Sequence, residues 1–524
     1  MKRTQPKYRH RRHGFVLAVV TITIVLLALG AYHYSSTMLV EEQASAMGGR
    51  DLIARTAAES AIEFAATRIM ERDADDTINL YNDPDTFRGM LLQDSTVPRG
   101  RVRCSVIAFD ETNTSGGAIR FGLANENAKF NINKLLEIDQ SEEDLPEEER
   151  LGLAYIAMSN IPYMTDSIVD AILDWLDSDE DRRPGGAESN DYASLAVSYE
   201  CKNGAMESID ELLKVQGVTP EMFYGEDANH NGLLDEGEDA NGDGYFDLGW
   251  QAYFTATSRE RNITPEGEPK INLNMGEMTK LYDAVEELFG EEAASFVIGY
   301  RMAGTEYATE GLPNNPDTGI QDKISRNDID LTKIPVFRFT SIYELIGGET
   351  GDVAMITGGS QTFLSPWSED ANTLLNVFPD LENAFTLSDD AFVEGRVNIN
   401  QARREVLLTI PAMSETAADA IIAARPSVEL ESASSNILAR RNTAAWILAE
   451  GLVDLETLRS LGPYVTTGGD VYRFQVIGHY DEGGPTTRME AMVDASEYPP
   501  QIQFVRDLTE LGRGYHPSVL LPTE

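Results

Sequence analysis

The chain has 524 residues, 42% of them hydrophobic, and a formal net charge of −45. This composition supports packed cores and argues against global disorder, and the length predicts about three or four packing units. The strongly acidic balance argues against a nucleic-acid partner, because phosphate binding needs clustered Lys and Arg, and it suits an extracytoplasmic or cation-binding protein.

The N-terminus predicts a membrane anchor. Basic residues end at Arg12, and from Phe15 no charge follows until Glu41. An uncharged apolar run of about 18 residues or more can span a bilayer as a helix, and the basic flank predicts a cytoplasmic N-terminus with the body outside. A cleaved secretory signal fits less well, because Tyr32-His33-Tyr34 is a poor cleavage region, but an uncleaved signal anchor remains an alternative.

The segment from Leu39 to Arg72 favours a continuation of the same helix. It is rich in Ala, Glu and Arg, which favour helix, and small residues allow close helix packing. Gly48-Gly49 is expected to weaken the helix locally. The predicted units here are a basic leader at residues 1–14 and a long transmembrane helix with its continuation at residues 15–75.

Three similar blocks follow a β-rich segment predicted at residues 76–128. Each block opens with an apolar-Asn-apolar-Asn strand, at Phe130–Asn133, Ile271–Asn274 and Val397–Asn400. Short polar side chains cap helices and satisfy turn backbones, so we expect these Asn pairs to be structural rather than catalytic. The predicted blocks are 129–262, 263–390 and 391–469, and antiparallel strands with a tail are predicted at 470–524.

Each block contains amphipathic helical sequence, with examples at 168–176, 281–300 and 416–424. Blocks one and two share a further element, since Ser208–Leu213 corresponds to Ser341–Ile346, each followed by Gly as at a helix end. Residues 305–394 are interpreted as an insertion or an additional repeat. The predicted fold class is α+β, with helical blocks framed by antiparallel β segments.

The sharpest chemical motif predicts a calcium-binding loop. Residues 227–238 fit the twelve-residue EF-hand pattern, with Gly232 at the sharp bend. Calcium is a hard cation that takes about six to eight oxygen ligands. The predicted ligands are Asp227, Asn229, Asn231, Leu233 through its carbonyl, Asp235 and Glu238.

A second, incomplete loop follows at once, with Trp250 where the terminal Glu belongs. Its predicted ligands are Asp239, Asn241, Asp243 and Asp247. Because no gap separates the loops, a full EF-hand helix pair has no room, and a pair of compact structural calcium loops is predicted instead. A solvated acidic turn is the alternative.

A third candidate metal site is the acidic run Asp174, Asp177, Asp179 and Asp181. Arg182 occupies the place of the bend glycine, so this run is no EF-hand loop. Calcium ligands and solvated surface charges are equally good interpretations of it.

The sequence contains two cysteines, Cys104 and Cys201. No Cys-x-x-Cys spacing supports structural zinc, and the pair could form one disulfide outside the cytoplasm or remain as buried free thiols. No His-Glu-x-x-His helix, nucleophile elbow or phosphate loop occurs, so we predict that the chain is not an enzyme.

The Gly14-Phe15 junction resembles the type IV prepilin and pseudopilin leader, in which basic residues and a glycine precede a Phe that opens an apolar helix. The resemblance implies cleavage after Gly14 by a membrane peptidase. Most pilin-like proteins carry Glu at the fifth mature residue, which here is Val19. The K-type minor pseudopilin of type II secretion systems typically lacks that Glu.

The blocks are similar to the helix-hairpin-helix-like head of the K-type minor pseudopilin, through residues 129–135, 172–175, 186–188 and 208–221. This resemblance implies a calcium-binding periplasmic head on an inner-membrane anchor, in a subunit that caps or starts a short filament. The implied partners are other minor pseudopilins, the major pseudopilin, the prepilin peptidase and the inner-membrane secretion platform.

Two other functions stay open. One is a stand-alone, calcium-stabilised binding protein on an uncleaved signal anchor. The other is a membrane-tethered DNA binder, because helix-hairpin-helix modules bind phosphate through a Gly-rich hairpin. Block three has Ile410–Ser414 where two glycines would be needed, and the net charge also argues against DNA.

Overall fold

The computed structural model describes residues 13–72, 78–110, 117–142, 146, 150–306, 326–425 and 441–522; the predicted leader lies mostly outside them. The helices in chain order are α1 (His13–Arg72), α2 (Pro84–Phe87), α3 (Lys134–Gln140), α4 (Leu153–Met158), α5 (Asp166–Leu176), α6 (Ser189–Ala193), α7 (Pro220–Tyr224), α8 (Met278–Phe289), α9 (Glu291–Ala303), α10 (Ala371–Ala384), α11 (Arg404–Leu407), α12 (Glu415–Ala424), α13 (Trp446–Ala449), α14 (Leu455–Leu461) and α15 (Pro517–Leu520).

The strands are mostly short outside one large sheet. In chain order they are β1 (Met90–Gln93), β2 (Val102–Phe109), β3 (Ile119–Arg120), β4 (Ala124–Asn125), β5 (Phe130–Asn131), β6 (Phe254–Thr255), β7 (Arg259–Arg261), β8 (Ile271–Asn272), β9 (Thr305–Glu306), β10 (Glu349–Thr350), β11 (Val353–Ala354), β12 (Ser360–Gln361), β13 (Phe385–Thr386), β14 (Phe392–Glu394), β15 (Val397–Asn398), β16 (Val465–Thr466), β17 (Val471–Tyr480), β18 (Thr487–Asp494) and β19 (Gln501–Asp507). The mixture of helices and sheet confirms the predicted α+β class.

Helix α1 runs for 60 residues without a break. Its N-terminal part from Phe15 is apolar and solvent-exposed, and by length and composition it can cross a membrane. The helix continues through Gly48 and Gly49, so the predicted local weakening produces no interruption. Each Gly costs about 1 kcal/mol relative to Ala, which the surrounding good helix formers offset.

The two β-rich ends of the chain form one antiparallel sheet. Among the described residues its strand order is β1-β2-β17-β18-β19, with β3 on β2 and β4 on β17. Central register pairs are Val106 with Val476 and Phe474 with Ala491. The segments predicted separately at 76–128 and 470–524 are therefore one structural unit with α1, called here the pilin-like unit.

An alanine face of α1 packs on this sheet. Its fully buried members are Ala54, Ala57, Ala58, Ala61 and Ala65. Small side chains bring the helix backbone close to β17, where a Cβ placed on Gly478 would lie 2.0 Å from the carbonyl oxygen of Ala54. Gly is required at that position because a side chain would collide with helix backbone.

The three Asn-rich strands open three blocks of the same construction. Strand β5 pairs in parallel with β6, β8 with β13, and β15 with β16, so each block closes on a short apolar-Thr strand. A single hydrophobic core runs through all three blocks and is separate from the core between α1 and the sheet. The helical blocks together are called here the head.

Each Asn pair makes the same hydrogen bonds. In block two, Oδ1 of Asn272 accepts the N–H of Asn274 at 2.8 Å. The side chain of Asn274 then donates to the carbonyls of Phe339 and Leu387 at 2.9 and 3.2 Å. Blocks one and three repeat both interactions. The pairs thus join the opening strand to distant chain segments, as expected for a structural role.

Two helices joined by a left-handed residue follow the opening strand in each block. The pairs are α4/α5, α8/α9 and α11/α12, and the linking residues with positive φ are Tyr163, Gly290 and Ala412. The sequence 281–300 therefore contains two helices, because Gly290 (φ +89°) ends α8. The shared Ser-initiated elements are 3-10 helices, Ile209–Lys214 and Ile342–Leu345.

The stretch interpreted as an insertion belongs to block two where it is described. Strand β13 lies in it and completes the parallel pair with β8. Helix α10 leads directly into β13. Residues 326–390 are thus the closing half of block two, whereas residues 307–325 lie outside the described part.

Replacing Gly478 with Ala should destabilise the pilin-like unit. The added methyl would force the α1 backbone away from β17, and overpacking of this kind typically costs about 1–3 kcal/mol. Gly468→Ala is the matched control, because nothing lies within 4 Å of a Cβ built there. Thermal unfolding measures both variants, and an equal melting temperature for them would contradict the close packing.

Candidate calcium sites

Acidic residues are concentrated in block one. Residues 129–262 hold 31 of the 87 acidic residues and 9 of the 42 basic ones. Carboxylates crowded in this way repel each other until a metal ion or a positively charged side chain balances their charge. These carboxylates are concentrated in two separate regions of the block.

The first region is a cluster of three carboxylates beside α5. Asp177 caps the C-terminal end of that helix, and Glu188 directly precedes α6. One carboxylate oxygen from each of Asp177, Asp179 and Glu188 lies within 4.8 Å of the others. Oxygens at this spacing can bind one hard cation together.

Glu188 supplies the physical reason to expect a cation here. It is only 3% exposed, and among the described residues neither of its carboxylate oxygens has a hydrogen-bond partner. Burial, with a smaller contribution from the nearby carboxylates of Asp174 and Asp177, raises the pKa of Glu188 to about 7. An unpaired buried carboxylate is costly, so a bound cation would remove the penalty.

The other predicted residues of this acidic run have different roles. Asp174 is buried and accepts hydrogen bonds from the backbone N–H and the guanidinium of Arg183, at 3.2 and 3.0 Å. Arg183 pairs with both Asp174 and Asp177, and it therefore holds the loop beside the cluster. Asp181 is exposed, and its N–H donates to Asp179. Glu188 cannot be recognised as a ligand from the sequence, because a lone Glu eleven residues after Asp177 forms no ligand pattern.

The second region is the EF-hand-like loop at 227–238. Asp227 is buried, and its carboxylate accepts the N–H groups of Asn231 and Gly232 at 2.9 and 2.8 Å. Gly232 has φ +71°, as the sharp bend requires. Burial raises the pKa of Asp227 to about 6, with a smaller contribution from Glu238.

Hydrogen bonds link the remaining predicted ligand residues within the loop. The amides of Asn229 and Asn231 both donate to the same oxygen of Asp235, at 2.7 and 2.8 Å. Glu238 accepts the N–H groups of Asn229 and Asp235. The N–H of Leu233 donates to Oδ1 of Asn231. Oδ1 of Asn229 is buried and lacks a partner in the described structure, so this donor set fits a hard cation.

The second loop folds in the same way but is more exposed. Asp239, its first residue, accepts two backbone N–H groups of the loop. Asn241 donates to Asp247 at 3.2 Å, and the N–H of Asp243 donates to Asn241. Trp250 is fully buried and donates to the carbonyl of Pro162, so it does not substitute for the missing Glu.

Glu226 bridges this second loop from outside it. Its two carboxylate oxygens accept the N–H groups of Ala240 and Asp247 at 2.9 and 3.2 Å. Glu238 makes a similar pair of bonds within the first loop. Glu226 is not among the predicted ligands, because it precedes the first loop and lies thirteen residues before the start of the loop that it contacts.

The two cysteines do not form a disulfide. Cys104 is a buried thiol in the sheet, and Cys201 is a buried thiol in the head. They belong to different hydrophobic cores, so the pairing considered from sequence is wrong and the free-thiol alternative holds. Burial raises the pKa of both thiols to about 11, which keeps them protonated.

The family comparison matches block one. The model of the type II secretion system (T2SS), protein K, matches residues 128–224. Residues 128–224 of this chain are therefore similar to a protein K domain. The resemblance to the K-type minor pseudopilins is confirmed over this segment. The matched segment contains the cluster of Asp177, Asp179 and Glu188, and it ends just before the two loops at 227–247.

One curated relative is the type II secretion system protein K of Pectobacterium carotovorum subsp. carotovorum. It is 29% identical to this chain over 112 residues, which are 21% of this chain. The chain spans about a third (34%) of the length of that relative. The likeness therefore concerns about a fifth of this chain rather than the whole molecule.

A solved structure is also similar, the GspK-GspI-GspJ complex from the enterotoxigenic Escherichia coli Type 2 Secretion System. The match covers 86% of this chain and 97% of that chain at 10% identity, with a TM-score of 0.34. That score is too low to transfer either the fold or the assembly of the complex. The α+β description of this chain rests on its own strands and helices.

We predict opposite effects of Glu188→Gln with and without calcium. In EGTA at pH 7.5 the variant should melt at a higher temperature than the wild type, because it removes a buried unpaired charge. In millimolar calcium the wild type should gain more than the variant, which has lost a ligand. Asp181→Asn is the control and should behave like the wild type in both conditions.

The pH dependence follows from the raised pKa of Glu188. Without calcium, the free energy of unfolding should fall as the pH rises from about 4.5 to about 7, because the folded state disfavours ionisation. Calcium should reduce the slope of the free energy of unfolding against pH, and calcium itself should bind more weakly below pH 7. Thermal melts across this range measure both effects, and a slope unchanged in Glu188→Gln would contradict the assignment.

Proposed function

We propose that this chain is a minor pseudopilin of the K type that caps or initiates the periplasmic pseudopilus of a type II secretion pathway. The observation that supports this most is the presence of the protein K domain on the same chain as α1, a 60-residue helix with an exposed apolar N-terminal part. The first half of that helix would lie in the membrane and pack against sister helices.

A position at the filament tip accounts for two features. The head adds three blocks to the pilin-like unit, and such a bulky subunit would not repeat along a thin filament. Val19 stands where most pilin-like proteins carry the Glu that pairs with a neighbouring N-terminus. A subunit with no neighbour above it does not need that pairing.

The partners and location follow from this role. Other minor pseudopilins, the major pseudopilin, the prepilin peptidase and the inner-membrane secretion platform would contact the chain. The N-terminus would be cytoplasmic, with a single pass through the inner membrane and the head in the periplasm. The chain would contribute no catalysis to export.

Calcium would stabilise the head rather than switch it. The donors in block one are carboxylate, amide and carbonyl oxygens, which suit a hard cation. Outside the cytoplasm weak sites are sufficient, because extracellular calcium modules work at about 10⁻⁴–10⁻³ M. The cluster with Glu188 and the loop at 227–238 are the stronger candidates, and the exposed second loop is the weaker one.

The DNA-binding alternative is weaker on local grounds as well as on net charge. In block three the hairpin residue Ala412 has φ +68° and carries a side chain where a phosphate would approach. Arg404, on the helix before this hairpin, is already paired with Asp419 and Glu415 at 2.6 and 3.0 Å. A stand-alone, calcium-stabilised binding protein on an uncleaved anchor remains the main alternative.

Processing of the N-terminus distinguishes these functions. Co-expression with a prepilin peptidase should remove fourteen residues and leave Phe15 as the first residue, as intact-mass spectrometry would show. Gly14→Leu should block the cleavage, whereas Gly30→Leu, farther along the same helix, should not. A protein that still begins at Met1 in the presence of the peptidase would favour the uncleaved anchor.

A further inference from the structure

The first calcium loop also joins the head to the pilin-like unit. We propose that a divalent cation in residues 227–238 acts as a latch that keeps the head docked on the sheet. This inference rests on the proposed calcium binding and adds a mechanical consequence to it. In the calcium-free protein the docking contact would loosen while each core remained folded.

Side chains from the sheet side bind three successive backbone carbonyls of the loop. The guanidinium of Arg488 on β18 donates to the carbonyl of Asn229. Gln475 on β17 donates to the carbonyl of His230 at 2.6 Å. The hydroxyl of Tyr515 donates to the carbonyl of Asn231 at 2.9 Å. The sheet therefore recognises the loop backbone in one particular shape.

Further contacts surround the loop. The side chain of Asn231 donates to the carbonyl of Gly514 at 2.7 Å, and Leu233 forms an isolated antiparallel bridge with Gly117. A Cβ on Gly232 would lie 2.3 Å from the ring of Phe109 on β2. The loop thus fits between β2 and the segment that follows β19.

Two of the docking residues are also predicted cation donors. Asn229 and Asn231 would offer side-chain oxygens to the cation, and their backbone carbonyls bind the sheet side chains. Without a cation, the carboxylates of Asp227 and Glu238 repel each other across this turn. Relaxation of that turn would displace the carbonyls on which the sheet side chains depend.

The burial of Arg488 strengthens the dependence of docking on the shape of the loop. Its side chain is completely buried, and among the described residues Nε and Nη1 have no hydrogen-bond partner. Nη2 donates the hydrogen bond to the carbonyl of Asn229 that joins Arg488 to the loop. A buried guanidinium with so few hydrogen-bond partners depends on the carbonyl of Asn229. The ordered loop and the Arg488 side chain therefore stabilise each other.

The second loop provides an internal control. In the described structure its hydrogen bonds go to Glu226 and Tyr163, both in block one, and none goes to the sheet. A cation bound there would stabilise block one without affecting docking. Ligand variants in the two loops should therefore differ in their effect on the sheet.

Hydrogen exchange of the full-length protein in nanodiscs tests the latch. Addition of calcium chloride after EGTA should slow exchange of peptides covering 228–234 and 509–521 by about tenfold or more. The double variant Asp235→Asn with Glu238→Gln should lose this protection. The control variant Asp239→Asn with Asp243→Asn should keep it.

Titration calorimetry with calcium on the same variants distinguishes a failure of calcium binding from a failure of the latch. If the Asp235/Glu238 variant binds as many calcium ions as the wild type, the loop is not a metal site and both proposals about it fail. If that variant loses one site but exchange at 509–521 never depended on calcium, binding stands and the latch is overturned. Tyr515→Phe should bind calcium normally and lose part of the protection at 509–521.

Discussion

Close packing of α1 against β17 is the contact on which the rest of the molecule depends. The alanine face of the helix and Gly478 of the strand allow two backbones to approach without intervening side chains. Arg50 extends the contact by stacking on Tyr480 and donating to the carbonyl of Gly483 at 2.8 Å. Ala54 and Gly478 lie more than 400 residues apart in the sequence, so this unit depends on long-range contacts.

The head is consequently an insertion between the two parts of the pilin-like unit, and it must be held in place on the sheet. Glu126 is one such tie, since it is completely buried between Lys129 and Arg473. Burial alone would raise the pKa of Glu126, but these two cations hold it at about 2. The loop at 227–238 is the second tie. A head fixed at both places keeps one orientation relative to the sheet.

Local patterns predicted local structure well. The apolar helix, the three Asn pairs and the EF-hand-like loop depend on residues close in sequence, and the structure has the helix unbroken, the pairs in equivalent positions and the loop folded around Gly232. Contacts between distant parts of the chain leave no such pattern in the sequence. The pairing of β2 with β17, the pairing of β13 with β8 in block two, and the proximity of Glu188 to Asp177 all depend on tertiary packing. Gly290 splits one amphipathic run into two helices for a local reason that periodicity alone does not resolve.

Hydrogen exchange of the pilin-like unit in a chain truncated after Gly468 tests most directly whether both chain ends are needed to form it. We predict that α1 beyond Ala54 and strand β2 lose their protection, because β17 and β18 are gone, while the three blocks of the head keep the slow exchange of their own core. Unchanged protection of β2 in the truncated chain would contradict the dependence of the pilin-like unit on its C-terminal strands.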